Sequence, residues 1–300
     1  MKTKSMKTII NLIFGLILMG VVSCQETRKV KVTVTAEDGT PLKDVTSIVT
    51  FMGYTGDDTK REKGETDARG VFQASGEPQL RMYVRLEKKG YYTTVSGRLT
   101  RKQDHDVAYV LREIKNPIPL YAKRLQVFAP VVGKEFGYDC EVGDWVQPHG
   151  KGRTKDLVLT AIIHHEADRY TNHHYELAVS FSNEKDGFVK FEQNRESELE
   201  APYEAPANAN FQSSWRYFKK REPGKGIETN REPDKGYFFR LRTQVDRNGD
   251  IISCHYAKAF GDFPDLKIYF NPSPNDRNLE FDPSRNLFTD LDPTEQVREP

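Results

Sequence analysis

The chain has 300 residues, and its 45 Lys and Arg residues almost balance its 44 Asp and Glu residues, leaving a formal net charge of +1. That balance gives no bulk positive field, which argues against a nucleic-acid partner. An aromatic content of 11% argues against a disordered chain, and the length exceeds what one core usually holds, so two domains are predicted.

The N-terminal residues have the pattern of an export signal. Residues 1–8 contain three lysines and no acid, residues 9–22 are mainly apolar, and Ser23 precedes Cys24. A positively charged segment, a short apolar segment and a small residue before the cleavage site are typical of a secretory signal peptide. About 14 apolar residues are too few for a membrane-spanning helix, which needs roughly 20.

Cys24, at the predicted cut, resembles the cysteine of the bacterial lipobox. The resemblance implies a signal peptide over residues 1–23, a lipid such as palmitate on Cys24, and a short tether over 24–29. It also implies a location on the cell membrane or the outer membrane, facing the periplasm or the exterior. The membrane is thus the first predicted partner.

Residues 30–113 contain short segments in which apolar and polar residues alternate. Val30, Val32 and Val34 share one side of the first segment, the period-two pattern of a half-buried β-strand. No segment has the 3.6-residue apolar period of an amphipathic helix. Several short strands separated by turns predict a small β-sandwich. The strands are expected at 30–36, 47–51, 71–72, 80–87 and 107–111, with a loop over 53–66.

This region also resembles a known family. The segment Val-x-Val-x-Ala-Glu-Asp-Gly-Thr-Pro-Leu-Lys-Asp-Val, the later Thr66-Asp67-x-x-Gly70-x-Phe72 and the Lys-Gly-Tyr at 89–91 are similar to the carboxypeptidase regulatory-like (transthyretin-like) domain of bacterial surface proteins. The resemblance covers about residues 28–113. It implies a prealbumin-like sandwich that is usually non-catalytic, and peptidase activity is not implied because no catalytic zinc-ligand set accompanies it.

Residues 125–300 are predicted to form a second β-sandwich, after a proline-stiffened linker over 114–124. Alternation predicts strands at 157–164, 173–181, 188–192 and 266–270. The polar segment 194–236 is too long for an ordinary connection and is interpreted as a packed Ω-like excursion or a partly mobile segment. Segments 133–140 and 266–282 resemble the C-terminal halves of uncharacterised lipoproteins with the same N-terminal module, which implies no activity.

A β-hairpin is predicted around Asn248-Gly249, with strands over 237–247 and 250–260. Asn-Gly is the preferred pair of a two-residue type I′ turn, in which both residues need positive φ. Pairing Arg247 with Asp250 then places the apolar side chains of both strands on one face, so that turn chemistry and hydrophobic pattern agree.

In this register Cys254 lies opposite Thr243 on the inward face, whereas Arg242 and His255 lie on the outward face. If Cys24 carries lipid, Cys140 and Cys254 are the two remaining thiols. Outside the cytoplasm such a pair predicts one disulfide. Two buried free cysteines are the alternative, since cysteine behaves as a small hydrophobe.

Four residues are candidates for ligand binding: Trp145, His149, Trp215 and Tyr217. Trp145 and His149 bracket a proline and are followed by glycines that allow close backbone approach. Together with Trp215 and Tyr217 they could form an aromatic platform for a sugar. The alternative is that both tryptophans fill the core of a small sandwich.

Two histidine pairs, His164-His165 and His173-His174, flank Glu166 and Asp168 and could suggest a zinc site. Their spacing does not match HExxH, and they lie in predicted strands, where neighbours point to opposite faces. A hairpin with histidines near its tip is the favoured interpretation. No metal and no cofactor is therefore predicted.

The combined pattern predicts a non-catalytic lipoprotein of the cell envelope with a binding or scaffold role toward a glycan or a protein. The alternative is a metal-assisted hydrolase that uses His149 or the His164-His165 pair of the C-terminal domain.

Overall fold

The computed structural model describes residues 26–97, 99–126, 128–168, 170–262 and 265–300. The predicted signal peptide and Cys24 lie outside these residues. The chain divides into two compact units, the first formed by Met1–Leu86 and Ser96–Tyr109 and the second by Glu87–Val95 and Val110–Pro300. Strands dominate both, and a single 3-10 turn, Pro283–Arg285, is the other regular element of the described residues. The predicted all-β fold is confirmed.

The first unit is built from seven short strands. β1, β4 and β8 form one sheet in the order β4-β1-β8, while β2 lies between β3 and β5 in the other, where β7 also pairs with β5. The bounds are β1 Arg28–Ala36, β2 Thr46–Phe51, β3 Lys60–Glu65, β4 Val71–Gly76, β5 Arg81–Glu87, β7 Leu99–Thr100 and β8 His105–Leu111, with β6, Thr94–Val95, assigned to the second unit.

Alternation correctly predicted the core of this unit. Val30, Val32 and Val34 are fully buried, as are Met82 and Val84 of β5. β3 was missed because Lys60–Glu65 contains no apolar residue, and the segment was predicted to be a loop. It pairs along its whole length with β2, and its charged side chains suit an edge strand that must not recruit another chain.

The second unit is a sandwich of two larger sheets. The remaining strands are β9 Tyr121–Gln126, β10 Glu135–Asp139, β11 Asp144–Trp145, β12 Leu157–Asp168, β13 Asn172–Ser180, β14 Gly187–Glu192, β15 Ser214–Arg221, β16 Ile227–Thr229, β17 Lys235–Val245, β18 Ile251–Asp262 and β19 Asp265–Phe270. One sheet has the order β11-β10-β12-β13-β15-β16 and the other β14-β17-β18-β19-β9. The polar segment 194–236 thus contains two strands, β15 and β16, and the predicted linker 114–124 contains the start of β9.

Two apolar clusters lie on opposite faces of the β14-β17-β18-β19-β9 sheet. The cluster between the sheets contains Tyr237, Phe239, Ala257, Ile268 and Phe270, together with Phe136, Leu159 and Leu177 of the other sheet. The cluster on the outer face contains Phe238, Tyr256, Phe260 and Tyr269, covered by C-terminal residues such as Leu279 and Phe281. The alternation of these residues along β17, β18 and β19 assigns them to the two faces.

The hairpin at Asn248-Gly249 forms, but the predicted turn is wrong, and the predicted register holds only at the pair Gln244–Ser253. Gly249 has φ +86 while Asn248 is not among the residues with positive φ, and the Gly249 N–H donates to the Asp246 carbonyl at 3.1 Å. This geometry is a type I turn followed by a glycine bulge, a three-residue loop. Leu241 therefore faces His255 rather than Tyr256.

The predicted disulfide is not formed: Cys140 and Cys254, both described, are free and buried. Cys140 belongs to the cluster between the sheets, whereas Cys254 belongs to the cluster on the outer face. The sheet itself separates the two thiols. The one-residue change of register is the physical reason, because it moves the side chains of one hairpin strand to the opposite face.

A bulge in β17 turns Arg242 toward the other sheet, in contrast to its predicted outward position. Arg242 has φ +55, and the buried Asp186 carboxylate accepts its N–H at 2.8 Å and the Thr243 N–H at 2.9 Å. A non-glycine residue in this region of φ is strained, so the two backbone N–H groups that donate to Asp186 hold the bulge in place.

The Arg242 guanidinium joins the two sheets at one end of the sandwich. Its Nε and Nη2 donate to Asp156 at 2.8 and 2.9 Å, Nη2 also donates to Asp139 at 3.0 Å, and Nη1 donates to Glu141. Burial alone would lower the pKa of Arg242, but the hydrogen bonds to Asp156 outweigh it and raise the pKa. The guanidinium therefore stays charged between two buried carboxylates.

Lys258 on β18 is a buried cation without a hydrogen-bond partner in the described chain. Its exposed fraction is 0% and its Nζ has no acceptor. The amine lies 4.8 Å from the centre of the Tyr269 ring and 5.6 Å from that of Phe260, a cation–π environment. Burial lowers the pKa of Lys258 to about 7, so part of the population carries a neutral amine.

We expect Arg242→Met to destabilise the second unit by about 3 to 5 kcal/mol, because two buried carboxylates lose their counter-charge. Both tryptophans of the chain lie in this unit, so urea unfolding followed by tryptophan fluorescence reports it selectively. Arg240→Met is the matched control, since Arg240 lies two residues earlier and its Nε donates to the Lys185 carbonyl. Equal effects of the two substitutions would contradict the role of the buried ion pairs.

We expect Lys258→Met to stabilise the second unit near pH 7 by roughly 1 to 3 kcal/mol, since it removes a buried charge at similar volume. The folded-state pKa of about 7 lies below the unfolded value, so the unfolded state binds more protons above pH 7. The free energy of unfolding of the wild type should therefore rise with pH between about 7 and 10, by at most about 1.4 kcal/mol per unit.

The free energy of unfolding of Lys258→Met, measured over the same pH series, should not rise in this way. The difference in unfolding free energy between the variant and the wild type should therefore become smaller at high pH. Lys267→Met on the neighbouring strand is the control, because Lys267 is partly exposed and pairs with Glu299. A constant difference across the pH range would show that charge is not the cause.

Candidate functional site

Trp145 packs at one edge of the second unit's core. Its ring contacts Phe136 and Tyr138 edge-on, with centroid distances of 5.1 and 5.3 Å. One side of the ring also lines a small depression of about 220 Å³ beside Lys123 and Glu295. Trp145 is thus mainly a core residue, as the alternative interpretation of the tryptophans expects.

The glycines after Trp145 make room for the chain itself. A Cβ on Gly150 would lie 2.5 Å from the Trp145 carbonyl, and one on Gly152 would lie 2.9 Å from the same atom. The Asp144 carboxylate accepts the N–H groups of Trp145 and Lys151 at 2.8 and 3.0 Å. This loop is a closed turn, and His149 is exposed on it.

Trp215 and Tyr217 lie on the inner face of β15, with ring centroids 6.1 Å apart. Trp215 packs against Tyr237 of the facing sheet at 6.3 Å. Strands β10, β12 and β13 separate β15 from β11, so Trp215 lies roughly 19 Å from Trp145 across the sheet. The four predicted ligand residues therefore do not form one platform, and Tyr217 is the one of them that lines the groove described next.

The histidines lie on the β12–β13 hairpin, as the favoured interpretation expects. His164 and His174 stack on the outer face at 4.4 Å, and His164 Nε2 lies 2.8 Å from Glu176. Hydrogen bonds from His164 and Arg216 lower the pKa of Glu176, which is typical of a surface ion-pair network. Within the described ranges, no three His, Cys, Asp or Glu side chains are grouped as metal ligands.

The inner face of the β10-β12-β13-β15 region continues past the core and forms the floor of a groove. Its side chains fall into three cross-strand rows, which follow from the observed registers. From the core outward they are Ala161–Leu177–Tyr217, then Ile163–Tyr175–Lys219, then Glu166–His173–Arg221. Residues in a row are neighbours on one face, and successive rows are about 7 Å apart.

A segment before β10 forms one wall of this groove. Phe128, Ala129 and Val132 line it, and Val132 bridges to Ala161 of β12. The groove has a volume of about 680 Å³, within the range of ligand sites. Phe128 is 78% exposed and Ile163 45% exposed, so the groove presents apolar surface to solvent.

Of these residues, sequence reasoning named Tyr217 as a ligand candidate, and it considered Glu166 and His173 only as parts of a zinc site that it did not favour. Tyr175 and Ile163 were assigned to predicted strands, but nothing linked those strands to β15, which was hidden in the polar segment 194–236. The alternation Trp215-x-Tyr217-x-Lys219-x-Arg221 is the signal that could have revealed the strand and its inner face.

No protein family model and no curated protein sequence matches the chain. Among solved structures, similar chains include a DUF3823 family protein from Parabacteroides merdae ATCC 43184 (7% identity, 82% of this chain and 96% of that chain, TM-score 0.23). A second, from Bacteroides uniformis ATCC 8492, is named a "putative carbohydrate binding protein" (8% identity, 83% and 98%, TM-score 0.22).

A third similar chain is 3-chlorocatechol 1,2-dioxygenase from Rhodococcus opacus 1CP, with 12% identity and a TM-score of 0.26. That match covers 30% of this chain and 60% of the dioxygenase chain. At these TM-scores the likenesses carry no argument about the function of this chain.

Proposed function

We propose that this chain is a non-catalytic, lipid-anchored protein of the bacterial cell envelope, and that its second unit binds a glycan. The groove beside β12, β13 and β15 is the observation that supports the binding role. In this groove, aromatic and aliphatic side chains on the inner face of a sheet are accessible to solvent.

The side chains of the groove suit a sugar. The rings of Tyr175 and Tyr217 and the aliphatic Ile163 offer flat apolar surface, which can cover the apolar face of a pyranose. Glu166 and Lys219 lie among the same lining residues and supply hydrogen-bonding groups for hydroxyls. A mostly apolar groove with a few polar groups is typical of ligand sites.

The location is proposed from the sequence of the N-terminal segment. A lipid on Cys24 would hold the protein on the cell membrane or the outer membrane. The first unit, with its resemblance to transthyretin-like modules, would then serve as a spacer between that membrane and the binding unit. A protein of the envelope is the other partner class that this arrangement could serve.

Nothing in the described geometry favours the metal-assisted hydrolase. His149 is exposed on a turn that carries no group of three metal ligands among the described residues, and His164 is engaged with Glu176 on the outer face. The groove residues are aromatic and aliphatic, with a few isolated charged side chains, a composition that suits ligand binding more than catalysis.

If the protein binds glycans, the purified protein lacking residues 1–23 should bind to at least one class of oligosaccharide displayed on a glycan array. Calorimetric titration with the oligosaccharide that gives the strongest array signal should show a dissociation constant about tenfold higher for Tyr217→Ala than for the wild type, because a stacking surface is lost. Tyr54→Ala, which removes an exposed tyrosine of the first unit, is the matched control. If no glycan binds and the protein instead captures an envelope protein in a way that depends on Tyr217, the ligand of the groove is a protein and the glycan proposal is wrong.

Lipid anchoring predicts that the protein made in a bacterial host incorporates labelled palmitate, partitions with membranes and has a mature N-terminus at Cys24. Cys24→Ser should abolish both labelling and membrane partition, whereas Cys140→Ser should leave both unchanged. Intact mass spectrometry of the membrane fraction identifies the attached lipid directly. An unmodified Cys24 in a processed, soluble protein would overturn the anchor.

A further inference from the structure

Two positive side chains without an acidic partner in the described part of the chain lie at and just beyond the groove: Lys219 lines it, and Arg221 follows in the next row. Lys219 and Arg221 lie two residues apart on the inner face of β15, beyond Tyr217. In the described part of the chain neither side chain has an acidic partner within ion-pair distance, although many other surface Lys and Arg residues here pair with an acid. Unpaired cations beside an apolar surface are a site for an anion.

His173 provides a second observation at the same place. It lies between Glu166 and Arg221 in the outermost row, stacks on Tyr175 at 4.9 Å, and is only 2% exposed. Both of its ring nitrogens lack a hydrogen-bond partner in the described chain. A buried imidazole without partners is costly unless a further group satisfies it.

The order of the rows sets the shape of the ligand. Apolar and aromatic side chains lie next to the core, and two cations and a histidine lie about 7 Å and 14 Å further out. The charge of the two outer rows is two positive against one negative, Glu166. A ligand that fits has a sugar ring with a carboxylate attached, since Arg binds carboxylates in a bidentate fork.

We propose that the groove binds an acidic oligosaccharide, with a sugar ring against Tyr217 and Tyr175 and a uronic carboxylate between Lys219 and Arg221. His173 lies in the same outer row as Arg221, with both of its ring nitrogens buried. This inference rests on the proposed glycan-binding function and specifies its ligand class. An acidic peptide is the competing anionic ligand, but the flat tyrosine surface next to the cations favours the sugar.

Calorimetric titration with three probes tests this assignment: an oligogalacturonate, the neutral oligogalactose made by reducing its carboxyl groups, and a polyglutamate peptide of similar charge. We expect the oligogalacturonate to bind at least about tenfold more tightly than the neutral oligomer, because charge-assisted hydrogen bonds contribute to one ligand only. The peptide should not bind measurably.

Substitutions then locate the carboxylate. Lys219→Gln and Arg221→Gln should each weaken oligogalacturonate binding about tenfold and leave the weaker neutral binding unchanged. Lys220→Gln is the matched control, since Lys220 lies between them on the opposite face and pairs with Glu222. It removes the same charge and should change binding less than twofold. Thermal unfolding of the three variants checks that each is folded.

The outcomes separate the two proposals. Equal binding of acidic and neutral oligomers, both weakened by Tyr217→Ala, would overturn the acidic ligand and leave glycan binding in place. Equal weakening by Lys220→Gln and Lys219→Gln would overturn the assigned position, because general electrostatic attraction would then explain the preference. Peptide binding without oligosaccharide binding, or no binding of any glycan, would overturn both.

Discussion

The buried fork of Arg242 is the constraint on which the second unit depends. Its guanidinium reaches from β17 to two buried carboxylates at the end of β10 and the start of β12, and a charge in that place is tolerated only with good geometry. The geometry requires a bulge at Arg242, and Asp186 stabilises that bulge through two backbone hydrogen bonds. The closing of one end of the sandwich depends on this bulge, whereas the hairpin register and the separation of Cys140 from Cys254 follow from the three-residue turn.

The opposite end of the same sandwich is open, and the two ends differ for a physical reason. Where Arg242, Asp139 and Asp156 lie, the two sheets are tied together by charge-assisted hydrogen bonds. Where β12, β13 and β15 extend past Tyr217, the inner face of their sheet lines the groove and changes from apolar to aromatic to charged over three rows. A sheet that is buried along part of its length and exposed along the rest can serve stability and binding at the same time.

Sequence alone predicted the all-β architecture and most strands that are half buried, because period-two alternation directly reflects one buried face. It missed β3, which has no apolar residue, and β15, whose inner face changes from Trp215 to Arg221 and so loses the apolar signal. It gave the wrong hairpin register, because Asn-Gly also suits a type I turn with a bulge. The groove was out of reach for a further reason: its three rows exist only once the registers of β12, β13 and β15 are known.

Lys258 makes the interior of the second unit chemically distinct from its surface. Exposed lysines are protonated at neutral pH and react slowly with acylating reagents, whereas a neutral amine is a strong nucleophile. Lys258 holds such an amine behind Tyr269 and Phe260, where no reagent can reach it while the sheet and its C-terminal cover stay together. The rate at which this one side chain becomes acylated therefore measures how often that cover opens, and the protein contains its own reporter of local unfolding.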